Sequence, residues 1–425
     1  MNNTPAACEP GGTPRRLRIL LCAYACEPHL GSEPGVGWNA VRMLAQHHDL
    51  WVFTRADHRA AIERELARAP MPGVTFLYHK VPFERGTRWY RGPLIQLHYY
   101  LWQVSLWRRA RPLHRRIGFD AIHHVTYVRY WTPCSGAFLG APFLFGPVGS
   151  GEAAPRGFAR DFPWRARWIE RLRNLARAVA ERDPLLRRSV RRAAVALATT
   201  EQTAAALRRL GARQVRLHSE VVLSDRELAE LAGLPLAEGK LRLVTVARLL
   251  AWKGVHLGLR AFAAAGLADA EYWVIGDGAE RARLERLAGE LGIADRVRFF
   301  GRLSRPEVLR ALAECQVLVH PSLHDAGGWA CIEAMAAGRP VLCFDWGGPG
   351  AQVTAKTGWK IVPRSPEAAV REMAAIMRRL ARDRSELAAF SRECRRHVRR
   401  EFSWDSRIRL LRELYDEIRQ PATAG

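Results

Sequence analysis

The run Val317-Leu318-Val319-His320-Pro321-Ser322-Leu323-His324-Asp325-Ala326-Gly327-Gly328-Trp329-Ala330-Cys331-Ile332-Glu333-Ala334-Met335-Ala336-Ala337-Gly338-Arg339-Pro340-Val341-Leu342-Cys343-Phe344 changes character three times. An apolar run breaks into a polar Gly-Gly turn, and a helix-like stretch follows from Trp329 to Ala337. Gly338 and Pro340 stop that stretch before a second apolar run. The order is strand, loop, helix, strand. A Gly-, Ser- and His-rich loop opening a helix offers unpaired N–H groups and the positive dipole end to an anion, and Asp325 and Glu333 flank it. Phosphate and sugar hydroxyls are suitable guests.

The same alternation extends in both directions. Residues 17–23, 50–54, 74–77, 120–125, 142–145 and 194–198 read as strands, and residues 35–46 and 58–69 as helices between them. It restarts at 241–246 and continues through strands at 272–275, 297–300, 315–319 and 341–344, with helices at 254–265, 279–291 and 305–313. Residues 224–239 read as a linker, 367–400 as one long charged helix, and 403–419 as an amphipathic helix with Ile408, Leu411, Leu414 and Ile418 on one face. Strands apolar on both faces imply parallel sheets covered on both sides. The expected architecture is therefore α/β, with two doubly wound parallel-sheet units whose strand ends form one cleft.

Length and charge bound the reading further. A chain of 425 residues exceeds one ordinary core. No apolar run is long enough to span a bilayer and the start lacks a signal-peptide stretch, so the expected location is the cytoplasm. Cys8, Cys22, Cys26, Cys134, Cys315, Cys331, Cys343 and Cys394 lack the spacing of a zinc site and read as reduced core residues. The net charge of +24 is almost wholly arginine, the lysines being Lys80, Lys240, Lys253, Lys356 and Lys360. It concentrates in 85–116 and 156–192, beside Trp89, Tyr90, Tyr99, Tyr100, Trp102, Trp107, Phe158, Phe162, Trp164 and Trp168. Arginine beside such rings suits an anionic membrane surface, here the inner face of the cytoplasmic membrane. A nucleic-acid binder would also carry this charge, but no common recognition motif is present and none is expected as partner.

After the strand at 241–246, Arg248 and Lys253 lie in the turn before a helix, where two cations suit a diphosphate. Gly276-Asp277-Gly278 follows another strand, and Asp325 and Glu333 are separated by seven residues. Together these resemble family 4 of the nucleotide-sugar glycosyltransferases, along about the whole chain and most closely from Leu243 to Val353. The resemblance implies the GT-B fold: two Rossmann-like doubly wound parallel-sheet domains facing across a cleft. The acceptor-binding domain would be 1–222, with 403–425 packing back on it, and the donor-binding domain 223–402.

By the same resemblance, Arg248 and Lys253 would hold the donor diphosphate and stabilise its leaving charge. Glu333 would accept from the ribose hydroxyls, Asp325 would lie against the transferred sugar, and Gly327, Gly328 and Trp329 would open the helix at the phosphates. The family usually has Glu at the position of Asp325 and a Gly-Phe-Gly-like turn after it, which bears on sugar geometry. Gly35 and Gly37, in a glycine-rich loop, would reach the donor phosphates. The spacing Gly35-x-Gly37-x-x-Ala40, with Asp57 beyond, also fits a dinucleotide fingerprint, although the first glycine lies far from its strand. His123 or His124 would stand on the acceptor side, only one pointing into the cleft because strand neighbours face opposite ways, with His124 preferred as catalytic. Gly149 and Ser150, in a glycine-rich loop after a strand, would line the same side.

No Asp-x-Asp triplet ends a strand, so no metal and no cofactor are expected. The implied reaction is transfer, with retention, from a nucleotide-sugar to a hydroxyl of a glycan or lipid-linked glycan, in cell-surface polysaccharide or glycolipid synthesis. A phosphorylase or epimerase on the same fold remains an alternative.

Overall fold

The structure, a computed structural model, describes residues 15–82, 84, 89 and 94–420. Cys8, Tyr90 and part of the first arginine-rich segment lie outside the described residues. The first sheet contains β1 (Arg18–Ala23), β2 (Asp49–Arg55), β3 (Val74–His79), β4 (Ala121–Thr126), β5 (Phe143–Val148), β6 (Val195–Ala198) and β7 (Val215–Leu217). Its order is β3-β2-β1-β4-β5-β6-β7, and every pairing is parallel. Around it lie α1 (Ser32–Ala45), α2 (Arg59–Arg68), α3 (Leu94–Ile117), α4 (Trp164–Ala180), α5 (Pro184–Arg192) and α6 (Glu201–Arg209).

The second sheet has the order β10-β9-β8-β11-β12-β13, again all parallel. Its strands are β8 (Leu241–Val246), β9 (Ala270–Ile275), β10 (Val297–Gly301), β11 (Val317–His320), β12 (Val341–Phe344) and β13 (Gly358–Ile361). With it run α7 (Asp225–Ala232), α8 (Val255–Ala265), α9 (Arg281–Glu290), α10 (Arg305–Glu314), α11 (Trp329–Ala336), α12 (Gly347–Gln352), α13 (Pro366–Arg382), α14 (Leu387–Glu401) and α15 (Trp404–Arg419).

The strands are apolar on both faces because each face has its own core. In β1, Leu20 and Cys22 enter one cluster while Ile19, Leu21 and Ala23 enter another, as the period of two requires. Leu411, Leu414, Tyr415 and Ile418 of α15 complete the second of these clusters, so the last helix packs on the first sheet. The chain passes between the domains twice, and the two passages pair: Leu223 N–H donates to Phe402 O at 2.8 Å and Trp404 N–H to Leu223 O at 3.2 Å. Arg407 is buried there and donates to the carbonyls of Ser219 and Val221.

Four expectations need correction. Residues 224–239 are not a bare linker: Ser224 and Glu227 form a reciprocal capping box that starts α7. The long helix at 367–400 is two, α13 and α14, broken where the Asp383 side chain accepts the Ser385 N–H. The edge strands β7 and β13 are additional. The 1–222 unit is also not self-contained, because Phe158 and Phe162 sit in the core of the second domain and Asp161 ion-pairs with Arg260 at 2.7 Å. Among the described residues no helix is long and apolar enough to cross a membrane, and the cysteines from Cys22 onward are free and buried.

Candidate active site at the strand ends

In each sheet the strand order reverses beside the first strand, between β1 and β4 and between β8 and β11. Ligands of open parallel sheets bind outside the carboxyl ends at such points. In the second domain that place is framed by the loops after β8 and β11. The loop after β8 is fixed by close backbone approach: Ala247 N–H donates to Ile275 O and Leu249 N–H to Asp277 O, both at 3.0 Å. Gly276, at φ +131°, and Gly278 press on this loop so tightly that an added Cβ would lie 1.9 Å from Ala247 O or 2.3 Å from Leu249 O. These two glycines thus shape the loop that carries Arg248. Asp277 is exposed and caps the Gly278 N–H at 2.7 Å.

Further along, Leu323 N–H donates to Trp252 O at 2.8 Å, clamping the 251–254 turn to the loop after β11. The clamp brings Lys253 Nζ to 2.6 Å from Asp325 Oδ2, with His320 Nε2 at 2.9 Å from the same oxygen. The other oxygen, Oδ1, accepts the Gly328 N–H at 3.0 Å. Burial alone would raise the Asp325 pKa, but Lys253 and His320 outweigh it and hold the carboxyl well below the usual range. Gly328 is the αL residue that starts α11, at φ +60°, where the Gln352 side chain leaves no room for a Cβ. Trp329 begins the helix, and Glu333, one turn on, ion-pairs with Arg305. Burial raises the Glu333 pKa, with Arg305 opposing it. Arg248 is exposed and has no hydrogen-bond or ion-pair partner among the described residues.

The first domain closes directly on this loop. His324 Nδ1–H donates to Glu152 O at 2.8 Å and Trp346 Nε1–H to Ala153 O at 3.1 Å. A Cβ on Gly149 would come within 2.8 Å of the Ala326 Cβ, so Gly149 sits against the loop of Asp325, with Ser150 beside it at φ +68°. Arg177 of α4 ties this loop down through the carbonyl of Gly151 at 2.9 Å.

Two functional candidates were not legible as such in the sequence. Glu152 is 1% exposed; its Oε2 accepts from Thr200 Oγ1 at 3.4 Å while Oε1 is buried without a hydrogen-bond partner. Burial, with help from the Asp325 charge, pushes its pKa up to about 7. Glu220 lies in the passage between domains, close enough that a Cβ on Gly327 would be 2.6 Å from its Oε1. Burial, with the charges of Glu33, Asp325 and Glu152, pushes Glu220 up to about 8. Glu33, in the first turn of α1, accepts the Val128 N–H, and burial raises it too. Four acidic groups, three from loops and Glu33 from the start of α1, thus meet at one place, and only Asp325 among them has a close ion-pair partner on its side chain. Among the described residues no group of three His, Cys, Asp or Glu side chains is arranged to hold a metal ion.

Other predicted site residues are placed differently. Gly35 and Gly37 lie inside α1, not in a loop, and a Cβ on either would strike the Leu30 or Ala25 carbonyl oxygen at 2.2 and 2.1 Å. Their smallness serves helix packing on the loop after β1. His123 and His124 do face opposite ways, and both are buried, since helices cover both faces of β4. His123 meets Tyr415 Oη and Gly146 O, each at 2.7 Å, and burial lowers its pKa to about 3. His124 is fully buried, with Nε2 at 3.0 Å from Tyr127 O and its ring against Phe145. Asp57 is held by Arg55 at 2.9 Å and takes no part in the site.

Residues 229–393 match the family described as glycosyl transferases group 1. The 2-deoxystreptamine N-acetyl-D-glucosaminyltransferase of Streptomyces fradiae is 28% identical over 317 residues, 71% of this chain and 72% of that protein. Among solved structures, sucrose-phosphate synthase from Thermosynechococcus elongatus aligns with a TM-score of 0.61 at 20% identity, covering 95% of this chain and 99% of that one. The fold is GT-B. Another GT-B neighbour, Anabaena Alr3699/HepE solved in complex with UDP, aligns with a TM-score of 0.61 at 17% identity, over 94% of this chain and 100% of that one. These matches support a glycosyltransferase, with the group 1 match lying in the second GT-B domain.

Proposed function

We propose that the protein is a retaining, metal-independent glycosyltransferase of family 4 that moves a sugar from a nucleotide-diphosphate sugar to a hydroxyl of a glycan or lipid-linked glycan. The observation that carries this reading is the meeting of Lys253 and Asp325 at 2.6 Å beside the unpaired Arg248, at the strand-order reversal of the second sheet. The diphosphate lies against Arg248 and Lys253, with the N–H groups that open α11 completing its surroundings. Asp325, kept ionised, accepts from hydroxyls of the transferred sugar, and Glu333 turns from Arg305 to the ribose. As the anomeric C–O bond breaks, the electron pair stays with the diphosphate, and the two cations stabilise the charge that develops. The acceptor hydroxyl forms the new C–O bond on the same face and gives its proton to the departing diphosphate oxygen. Glu152 and Glu220, whose pKa values burial raises to about 7 and about 8, can hydrogen-bond either donor or acceptor hydroxyls.

Anabaena Alr3699/HepE binds UDP in its solved complex, which makes UDP-sugars the first donors to try, and the cytoplasm, with its reducing conditions, suits the free buried cysteines. The test is thermal unfolding of the whole chain with UDP-, GDP- and ADP-sugars. A donor at 100 times its dissociation constant should add about 2.7 kcal/mol, and Arg248→Ala, by weakening the donor tenfold to a hundredfold, should cut that gain to about 0.4–1.4 kcal/mol. Turnover that requires inorganic phosphate would instead mark a phosphorylase, and stabilisation by no nucleotide-sugar would end the transferase reading.

A further inference from the structure

Helix α4 has two unlike faces. At 100° per residue, Trp164, Trp168, Leu172, Leu175 and Val179 fall within an arc of about 80°, and all five are more than half exposed, between 55% and 61%. The opposite face looks into the molecule. There Glu170 accepts the Ala154 N–H at 3.2 Å, Arg173 lies over the Trp252 ring at 5.2 Å, and Arg177 holds the Gly151 carbonyl. The inner face is therefore committed to the cleft, beside Lys253 and Glu152, and among the described residues nothing covers the outer apolar face.

Folded chains rarely leave so many large apolar groups in water on one helix unless something covers them. The charge around the stripe says what that is. Arg165, Arg167 and Arg171 are exposed along it, and the helix's one acid, Glu170, is buried on the other side. A second copy of a chain carrying +24 would bring arginine against arginine. An anionic lipid surface takes both components, with rings and leucines at the acyl boundary and guanidinium groups on phosphate. Helix α3 repeats the pattern: Leu94, Leu97, Leu101 and Val104 are exposed, followed by Arg108, Arg109 and Arg111. Burial, and then the charge of nearby Asp183, the cap of α5 just past the end of α4, raise the pKa of its Tyr100. A cavity of about 380 Å³, lined by Val104, Trp107, Phe138, Leu185 and Arg192 among others, lies between α3 and α5.

We infer that the outer face of α4, together with the α3 stripe, docks on an anionic membrane and so holds the mouth of the cleft at the lipid surface. The docking is independent of the transferase reading; its use, access to a lipid-linked acceptor, rests on that reading.

The experiment is co-sedimentation of the full chain with phosphatidylcholine vesicles, with and without phosphatidylglycerol. Wild type should pellet with the anionic vesicles at low salt, and the double variant Trp168→Ser, Leu172→Ser should partition about tenfold less. Arg165→Ser with Arg171→Ser should weaken binding and flatten its salt dependence. Arg248→Ala should pellet like wild type, and the α4 double variant should keep its stabilisation by donor, which separates failure of docking from failure of the site. The inference is overturned if wild type stays in the supernatant, or if the double variant pellets as wild type does. It is equally overturned if sedimentation velocity without lipid shows a dimer that the double variant dissolves, since a second copy would then be the cover.

Discussion

The two walls of the cleft hold the same functional group in opposite states. On the second-domain wall, Asp325 is buried but ringed by Lys253, His320 and the Gly328 N–H, and its carboxyl stays ionised far into acid. On the first-domain side, Glu152 and Glu220 are also removed from water, but no cation among the described residues bonds them, and their pKa values rise to about 7 and about 8. Burial acts alike on all three; the neighbouring charge decides the sign. One wall is thus set in advance for a charged, strongly oriented partner, and the other for neutral hydroxyls.

The largest effect expected from disturbing this contrast is at Lys253. Lys253→Ala should lower turnover by about 10²–10³-fold, the usual consequence of removing a group that stabilises developing charge. It should also destabilise the fold by about 2–3 kcal/mol, because it leaves the Asp325 carboxylate short of its cation. That figure is below the fully buried case, since the two side chains keep 18% and 15% of their surface. Steady-state kinetics and thermal unfolding together check both parts. Arg248→Ala should differ in kind: an exposed side chain with no partner contributes little to folding, so donor affinity should fall about tenfold to a hundredfold with the melting temperature unchanged. If both variants lost stability equally, the contrast between a structural and a free cation would be wrong.

The opposite pKa directions give opposite pH slopes. A carboxyl lowered by folding, such as Asp325, stabilises above its unfolded pKa of 3.8, and that contribution is lost as the pH falls. Glu152 and Glu220 are raised above their ordinary 4.5, so the folded state binds more protons than the unfolded. Their effect is a loss of stability as the pH climbs from about 4.5 through about 7 and 8. Below about pH 6.5, buried histidines with lowered pKa values, such as His123, His256 and His324, push stability the other way. The melting temperature should therefore decline, on the order of a few degrees, only between about pH 6.5 and pH 8.5. Glu220→Gln and Glu152→Gln should each flatten that decline, and a slope unchanged in both would remove the protonated carboxyls from the account.

The same contrast marks what the sequence can carry. The strands of both sheets, and the loop from His320 to Trp329, are local signals: apolar runs, a Gly-Gly turn and a helix start lie within a few residues of one another. The edge strands β7 and β13 are too short, at three and four residues, and too mixed in polarity to stand out. The break between α13 and α14 has neither Gly nor Pro to mark it, only the Asp383 to Ser385 turn. Glu152 and Glu220 become site candidates only because loops far apart in the chain converge, which no spacing encodes. The histidine pair shows a subtler gap. Alternation correctly put His123 and His124 on opposite faces, but in a doubly wound sheet both faces are interior.

That last point yields the smallest effect. His123 Nε2 faces the Gly146 carbonyl and so carries the ring proton, which leaves Nδ1 to accept from the Tyr415 hydroxyl at 2.7 Å. Both residues are buried, and the bond spans the first sheet and the last helix of the chain. Tyr415→Phe keeps the ring in the core but strands the Nδ1 lone pair away from water, at a cost of about 1 kcal/mol. Thermal unfolding should register that loss while turnover per folded molecule stays the same. A fall in turnover without a fall in stability would return His123 to the cleft and reverse its assignment as the anchor of α15.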